Sequence, residues 1–268
     1  MPKPTRHIVG LSGGKDSAAL AIYLRDRIPD LDYVFSDTDK ELPETYAYLA
    51  RIEAYLGKKI VTLRDERGFD HWLSVYGGYL PSPRMRWCTK MLKIRPFEAY
   101  VESLGDVDVK MYVGIRADEN RGGYNPTKQN IQPIYPFVEA GFKIEDIHRI
   151  LEESGVGVPP YYSWRTRSGC FFCFYQRKNE WVGLKENHPD LFELAKKYEK
   201  TNPETGDRYT WSERESLDEL GQPDRVAEIK ERHAKMRPAA VEKSTKLLHI
   251  LDQDEEDGDN LPCSFCHV

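Results

Sequence analysis

The chain is 268 residues long, with 40% hydrophobic and 31% charged residues and a formal net charge of -5. That is enough for one large α/β domain with an appendage, and it excludes a collagen, a coiled coil and a disulfide-stapled mini-protein. The longest apolar run, the seven residues from Ala18 to Leu24, is too short to span a bilayer, and the opening MPKPTRHIVGLSGG lacks a signal-peptide pattern, so a cytoplasmic protein with no membrane partner is expected.

His7 to Leu11 reads as a short buried strand. SGGKDS breaks it, and Ala19, Ile22 and Tyr23, spaced i, i+3, i+4, begin an amphipathic helix. A second unit follows: DYVFS at 32–36, a polar turn DTDKE, then Pro43 at a first helical position with Leu49, Ile52 and Leu56 on one face. Lys59 to Leu63 and Val109 to Gly114 are the third and fourth strand candidates. Such alternation predicts an α/β fold, a parallel twisted sheet with helices on both faces. From about 131 the chain is irregular and rich in Tyr, Pro and Gly, and from about 184 it is helical and highly charged. The expected division is therefore a domain over 1–183, a helical charged C-terminal extension over 184–251, and an acidic tether with a CxxC tail over 252–268. His71, His148, His188 and His233 sit singly in mixed-charge helical sequence, with no paired carboxylate or nucleophile beside them, and are given no catalytic role.

Ser12-Gly13-Gly14-Lys15-Asp16-Ser17 lies between the first strand and the first helix, where backbone N–H groups and the positive helix end meet an anion. Two adjacent glycines let the backbone approach phosphate oxygens. Ser12 and Ser17 add hydroxyl donors, Lys15 a point charge, and Asp16 either holds Mg²⁺ or braces the loop. A Walker loop does not fit, because Val9 and Asp16 occupy its first Gly and its Ser/Thr positions, and there is no GxGxxG.

This loop resembles that of the PP-loop ATP pyrophosphatases, whose SGGxDS segment binds the pyrophosphate part of ATP during adenylation. Asp37-Thr38 with Glu41-Leu42-Pro43-Glu44-Thr45 is similar to the DTG…PET stretch of the phosphoadenosine phosphosulfate (PAPS) reductase branch, and Gly114-Ile115-Arg116 to its GxR substrate loop. Asp39 stands where that branch usually has Gly, and Asn120-Arg121 replaces its later Ser and Arg. The resemblance runs from about residue 7 to 176. It implies an adenine nucleotide alpha hydrolase-like fold and ATP with Mg²⁺, held by Ser12, Gly13, Gly14, Lys15, Asp16, Ser17, Asp37, Gly114 and Arg116, with Lys15 and Asp16 catalytic.

The five cysteines include two C-x-x-C pairs, Cys170/Cys173 and Cys263/Cys266, which in a reducing compartment point to metal or sulfur chemistry. Arg86-Trp87-Cys88-Thr89-Lys90 and Cys170-Phe171-Phe172-Cys173 resemble the iron–sulfur version of the family, with Trp87 in place of one cysteine. That implies a [4Fe-4S] cluster on Cys88, Cys170 and Cys173, completed by Cys263 or Cys266 or left with an open iron. The alternative is a Zn²⁺ knuckle on the two C-x-x-C pairs, with Cys88 merely buried. Cys88 and Cys266 are the candidate catalytic thiols, His267 favouring the Cys266 thiolate, and the tail is expected to fold back onto the site.

Residues 252–259, DQDEEDGD, hold six carboxylates and no cation, leaving the other 260 residues at +1. Within that nearly neutral body, 82–95 carry Arg84, Arg86, Lys90, Lys93 and Arg95, and 161–178 carry Arg165, Arg167, Arg177 and Lys178, neither with a carboxylate. Brought together at the cysteines, these cations predict an anionic substrate, with Arg86, Lys90, Lys93, Arg165 and Arg167 as binding residues. Trp87, Trp164, Phe171, Phe172 and Tyr175 are then candidates to stack on bases.

The expected function is ATP-dependent sulfur insertion. ATP adenylates a substrate oxygen, pyrophosphate leaves, and sulfur delivered through the cysteine centre displaces AMP. The SGGKDS…ELPE opening, the lone RWC cysteine and the chain length resemble the sulfurtransferase/ATPase components of bacterial DNA phosphorothioation systems. That resemblance implies DNA as the nucleic-acid partner, a cysteine desulfurase as sulfur donor, other modification-complex subunits, a homodimer and a role in phage defence. Sulfonucleotide reduction, tRNA thiolation and a non-catalytic ATP-bound scaffold are the alternatives.

Overall fold

The computed structural model describes residues 3–119, 123–201, 206, 208–212 and 215–235. Five strands, β1 (Thr5–Leu11), β2 (Leu31–Ser36), β3 (Ile60–Leu63), β4 (Asp108–Tyr112) and β5 (Ile131–Ile134), form one parallel sheet in the order β3-β2-β1-β4-β5. In register, Val9 of β1 stands opposite Tyr33 on one side and Tyr112 on the other. The chain steps outward from β1 to β3 and then returns to lay β4 on the opposite side of β1. The segments that follow β1 and β4 therefore lie side by side at the strands' carboxyl ends, where the strand order reverses, the usual ligand position in an open α/β sheet.

Successive side chains of a strand point to opposite faces, so Ile8 enters one apolar layer and Val9 and Leu11 the other. The Val9 layer is covered by α1 (Lys15–Arg25), α2 (Pro43–Leu56), α6 (Pro136–Glu139) and α7 (Ile144–Glu153). As expected, Pro43 opens α2 and Leu49, Ile52 and Leu56 are buried. α1 is more than amphipathic: Ala18, Ala19, Leu20, Ala21 and Leu24 are all buried, because the helix lies between the sheet and α7.

The Ile8 layer holds α3 (Gly68–Val75), α4 (Trp87–Thr89), a π-helical turn (Lys90–Ile94) and α5 (Arg95–Ser103). The same apolar cluster takes in side chains of α8 (Lys178–Asn187), α9 (Pro189–Lys196), α10 (Leu217–Leu220) and α11 (Pro223–Lys235). A two-stranded ladder of β6 (Lys200–Thr201) and β7 (Arg208–Tyr209) lies between α9 and α10 in sequence. The boundary expected at 183/184 falls inside α8, and Phe172 stacks on Trp211 at 4.9 Å and 11°. The charged helices thus share a core with the sheet domain. β5 was not among the expected strands, since Pro133 interrupts its pattern. Pro133 is tolerated because β5 is an edge strand, where a missing N–H breaks no inner ladder.

Candidate active site

Only Ser12, Gly13 and Gly14 separate β1 from α1. Gly13 has φ +72, and a Cβ on it would stand 2.5 Å from Thr45 Cγ2, so the loop lies directly on the start of α2. Gly14, at the N-cap, has no side chain with which to cap α1. Ser12 N donates to Ser17 Oγ (3.1 Å), Ser17 Oγ donates to Gly14 O (3.2 Å), and the two serine hydroxyls lie 3.1 Å apart. Asp16, 2% exposed, accepts from Arg116 Nη1 at 2.6 Å and from Lys15 Nζ at 3.2 Å. Of the two roles expected for Asp16, this geometry is that of a brace.

Arg116 also donates to Asp118 (2.9 Å) and pairs with Glu119 (3.0 Å). Burial works against its charge, but Asp16 and then these carboxylates hold its pKa above the ordinary value. Gly114 permits the approach, since a Cβ there would stand 3.0 Å from the carbonyl oxygen of Asp16.

Three hydroxyls that no motif announces close the loop from the far side. Tyr161 OH donates to Gly13 O (2.7 Å), Lys15 N donates to Tyr162 OH (3.3 Å), and Ser168 Oγ donates to Ser12 Oγ (3.0 Å). The Lys15 ammonium stands 4.8 Å from the Tyr162 ring centroid. These residues lie 147 to 156 positions from their partners, beyond any local spacing rule. The Tyr-rich composition of the region was the one signal pointing to them.

Beyond β2, buried Asp37 accepts from Tyr46 OH and from Asp39 N, both at 2.8 Å, and pairs with Arg64. Thr38 Oγ1 donates to Glu41 Oε1 (2.9 Å) and lies 3.0 Å from Cys170 Sγ, which is 3.8 Å from the same carboxylate oxygen. Phe171 N donates to Lys40 O (2.7 Å), so the CxxC loop docks on the turn after β2. Burial, then the Glu41 charge, pushes the Cys170 thiol well up. Burial likewise pushes the Glu41 carboxyl up, against Lys93 and Thr38. His188, given no catalytic role, lies with Nε2 2.8 Å from Glu44 Oε1 and ties the start of α9 to α2.

The two basic segments meet at the Tyr175 ring, with Arg86 Cζ 5.9 Å and Arg167 Cζ 5.5 Å from its centroid. Lys90 is exposed. Arg165 and Lys93, expected on a substrate-facing surface, are buried instead. Arg165, 1% exposed, donates to Gly169 O (3.0 Å) and Cys170 O (2.8 Å), satisfying carbonyls of the tight cysteine loop. Glu180 is fully buried and accepts from Thr166 N (2.7 Å), Thr166 Oγ1 (2.6 Å) and Arg177 N (3.0 Å). Burial raises its pKa, but Arg165 and these bonds outweigh it and keep the carboxyl below its usual range.

The expected base-stacking aromatics also turn inward. Trp87 packs on Phe69 and Tyr76, and Phe171, Phe172 and Tyr175 are core. Trp164 is half-buried against Gly183, where a Cβ would stand 2.7 Å from its ring.

Cys88 on α4 and Cys173 are half-buried. Among the described residues no group of three or more His, Cys, Asp or Glu is arranged to hold a metal ion. Cys170, one of the three thiols expected to hold a [4Fe-4S] cluster with Cys88 and Cys173, lies within hydrogen-bond distance of Thr38 Oγ1. Cys263, Cys266, His267, Asn120 and Arg121 lie outside the described residues. A polyphosphate fits the glycine loop: the N–H groups at the start of α1, two serine hydroxyls and an ammonium are a phosphate-binding donor set, and a Mg²⁺ carried by a nucleotide needs few protein ligands. No helix among the described residues is long and apolar enough to cross a membrane.

The phosphoadenosine phosphosulfate reductase domain family matches residues 6–171. An uncharacterized protein of Methanocaldococcus jannaschii is 30% identical over 197 residues, 69% of this chain and 40% of its own length. The tRNA-specific 2-thiouridylase MnmA of Lactococcus lactis subsp. cremoris (strain MG1363) is 31% identical over 211 residues, 66% of this chain and 54% of its own. The chain thus spans about half, or less, of the length of these curated relatives. Among solved structures, the PAPS reductase from Candida auris in its phosphate complex aligns with TM-score 0.48 and 15% identity, over 63% of this chain and 82% of that one. The U34-tRNA thiolase NcsA from Methanococcus maripaludis with its [4Fe-4S] cluster aligns with TM-score 0.44 and 14% identity, over 74% and 72%.

Proposed function

Because this chain belongs to the phosphoadenosine phosphosulfate reductase domain family of PP-loop proteins, we propose that it is an ATP pyrophosphatase and sulfurtransferase acting on a nucleic acid, with the DNA backbone as acceptor. The observation that carries the reading is the segment from Tyr161 to Cys170. It closes the glycine loop through Ser168 and, two residues on, sets the Cys170 sulfur beside Thr38. One strip of chain thus links a polyphosphate site to a thiol.

In this scheme an acceptor oxygen attacks the α-phosphorus of ATP and the bond to the β-phosphate oxygen breaks. The N–H groups at the start of α1, with Lys15 and the serine hydroxyls, receive the pyrophosphate charge. A persulfide on Cys170, its outer sulfur passed on from a persulfide of a desulfurase partner, then attacks the activated atom and AMP leaves with the original oxygen. The Cys173 thiol cleaves the remaining S–S bond, which leaves sulfur on the acceptor and a Cys170–Cys173 disulfide for a dithiol reductant to reopen. Arg86 and Arg167, gathered on Tyr175, and exposed Lys90 are positioned to meet a polyanion. No step is assigned to an iron–sulfur cluster or zinc. A tRNA acceptor is the second reading, supported by the similarity to a tRNA-specific 2-thiouridylase.

The test incubates the chain with ATP, a cysteine desulfurase with free cysteine, a dithiol reductant and either DNA or tRNA. Nucleotide products are resolved by chromatography, and nuclease digests are examined for phosphorothioate or thionucleoside by mass spectrometry. AMP and pyrophosphate with thiolated DNA are expected. ADP and inorganic phosphate would overturn the assignment, and thiolated tRNA alone would select the second reading.

A further inference from the structure

We infer that the strap of residues 161–168 is a second wall of the pyrophosphate subsite, in which the hydroxyls of Tyr162 and Ser168 donate to the bound anion. The inference rests on the nucleotide reading above and adds residues that lie outside the glycine motif.

Phosphate-binding glycine loops present backbone N–H groups on one side. Here a second chain segment reaches the same place. Tyr162 OH accepts the N–H of Lys15, the first residue of α1, at 3.3 Å. The oxygen therefore stands at a donor that an anion would also use, and the phenol hydrogen is left to donate. Burial, then the Asp16 charge, keeps the phenol protonated. Ser168, 3% exposed, donates to Ser12 Oγ at 3.0 Å, and Ser12 lies 3.1 Å from Ser17. Ser168, Ser12 and Ser17 thus form a row of hydroxyls across the loop, each able to rotate its hydrogen toward an incoming oxygen.

Gly14 admits the strap. A Cβ there would stand 2.7 Å from Ser168 Oγ and 3.2 Å from Tyr162 OH, so the second glycine of the motif serves this approach as well as any phosphate. The strap is held from outside the subsite by Tyr161 on Gly13 O, by Glu180 on Thr166 and by Arg165 on the carbonyls of Gly169 and Cys170. The two hydroxyls are therefore in place before ligand arrives, which lowers the ordering cost of binding.

The test is calorimetric titration of the full chain with inorganic pyrophosphate and, separately, with AMP, for wild type, Tyr162→Phe and Ser168→Ala, with thermal melts of each. A hydrogen bond to a charged group sets the scale: each variant is expected to bind pyrophosphate about tenfold more weakly, with AMP affinity within about twofold and an unchanged melting midpoint. Pyrophosphate affinity unchanged in both variants overturns the inference while leaving the nucleotide reading standing. Parallel loss of pyrophosphate and AMP binding with a lowered midpoint also overturns it, because the strap would then be structural. Wild-type chain that binds neither pyrophosphate nor ATP overturns the nucleotide reading itself, and this inference with it.

Discussion

Asp16 and Arg116 meet in a 2.6 Å hydrogen bond between Oδ1 and Nη1 across 100 positions of chain, joining the first turn of α1 to the loop after β4. Both side chains are largely removed from water, at 3% and 13% exposure. Removing one partner of such a pair strands a buried charge, at about 3–5 kcal/mol. Arg116→Ala should therefore lower unfolding stability by that amount in urea titrations, and Arg116→Lys should recover only part, because an ammonium cannot reproduce the guanidinium fork that also serves Asp118 and Glu119. A cost of Arg116→Ala below about 1 kcal/mol would mean the two segments are joined by other contacts.

Glu180 makes stability depend on acid. Its carboxyl is held below its reference value of 4.5 in the folded chain, so as pH falls the unfolded chain takes up the proton first. The stability it contributes is present in full above that value and is lost as pH drops through it toward the folded pKa. Glu180→Gln should cost about 2–3 kcal/mol at pH 7 and flatten the decline that sets in as pH falls through 4.5. An unchanged acid limb in denaturation midpoints would assign the decline to other carboxylates.

Asp39 occupies a backbone conformation that favours glycine, with φ 61, at the position where the PAPS reductase branch usually carries Gly. Asp is among the few residues that visit this region, helped by local hydrogen bonding, and its N–H is held by Asp37. Asp39→Gly should be neutral to within about 0.5 kcal/mol, whereas a β-branched valine should cost roughly 1–2 kcal/mol. Equal effects of Gly and Val would show that the turn relaxes.

The Phe172–Trp211 stack makes the charged helices part of the main core. Trp211→Ala and Phe172→Ala should each cost about 3–5 kcal/mol in one cooperative transition. A chain cut after residue 183 should aggregate, as it exposes Phe172 and severs α8. A soluble, cooperatively folding 1–183 fragment would instead restore the division into domain and appendage.

Arg86 and Arg167 should carry polyanion binding. Their charge reversal to Glu is expected to weaken binding to DNA or tRNA and to flatten log affinity against log salt by roughly 0.7–0.9 for each phosphate no longer neutralised. Arg165→Lys should lower stability but leave that salt slope alone, since Arg165 serves carbonyls within the cysteine loop. Equal slopes for the Arg167 and Arg165 variants would remove Tyr175 as the meeting point of a binding surface.

The first two strand–helix units and the glycine loop were legible in the chain because their causes are local. A run of apolar residues, a pair of glycines and Pro43 at the first turn of α2 act within a few positions of themselves, through backbone sterics and helical or strand periodicity. Charge was legible only as sign and density. Arg86, Lys93, Arg165 and Arg167 look alike in sequence, yet two lie under the cysteine loop and two face Tyr175, since a cation can be buried only where remote partners satisfy it. For Arg165 those partners are the carbonyls of Gly169 and Cys170 with Glu180 nearby, gathered only once α8 packs onto the core. The hydroxyls of Tyr161, Tyr162 and Ser168 reach the glycine loop for the same reason. Strand order brings segments about 150 residues apart to one end of the sheet, and no spacing rule operates over that distance.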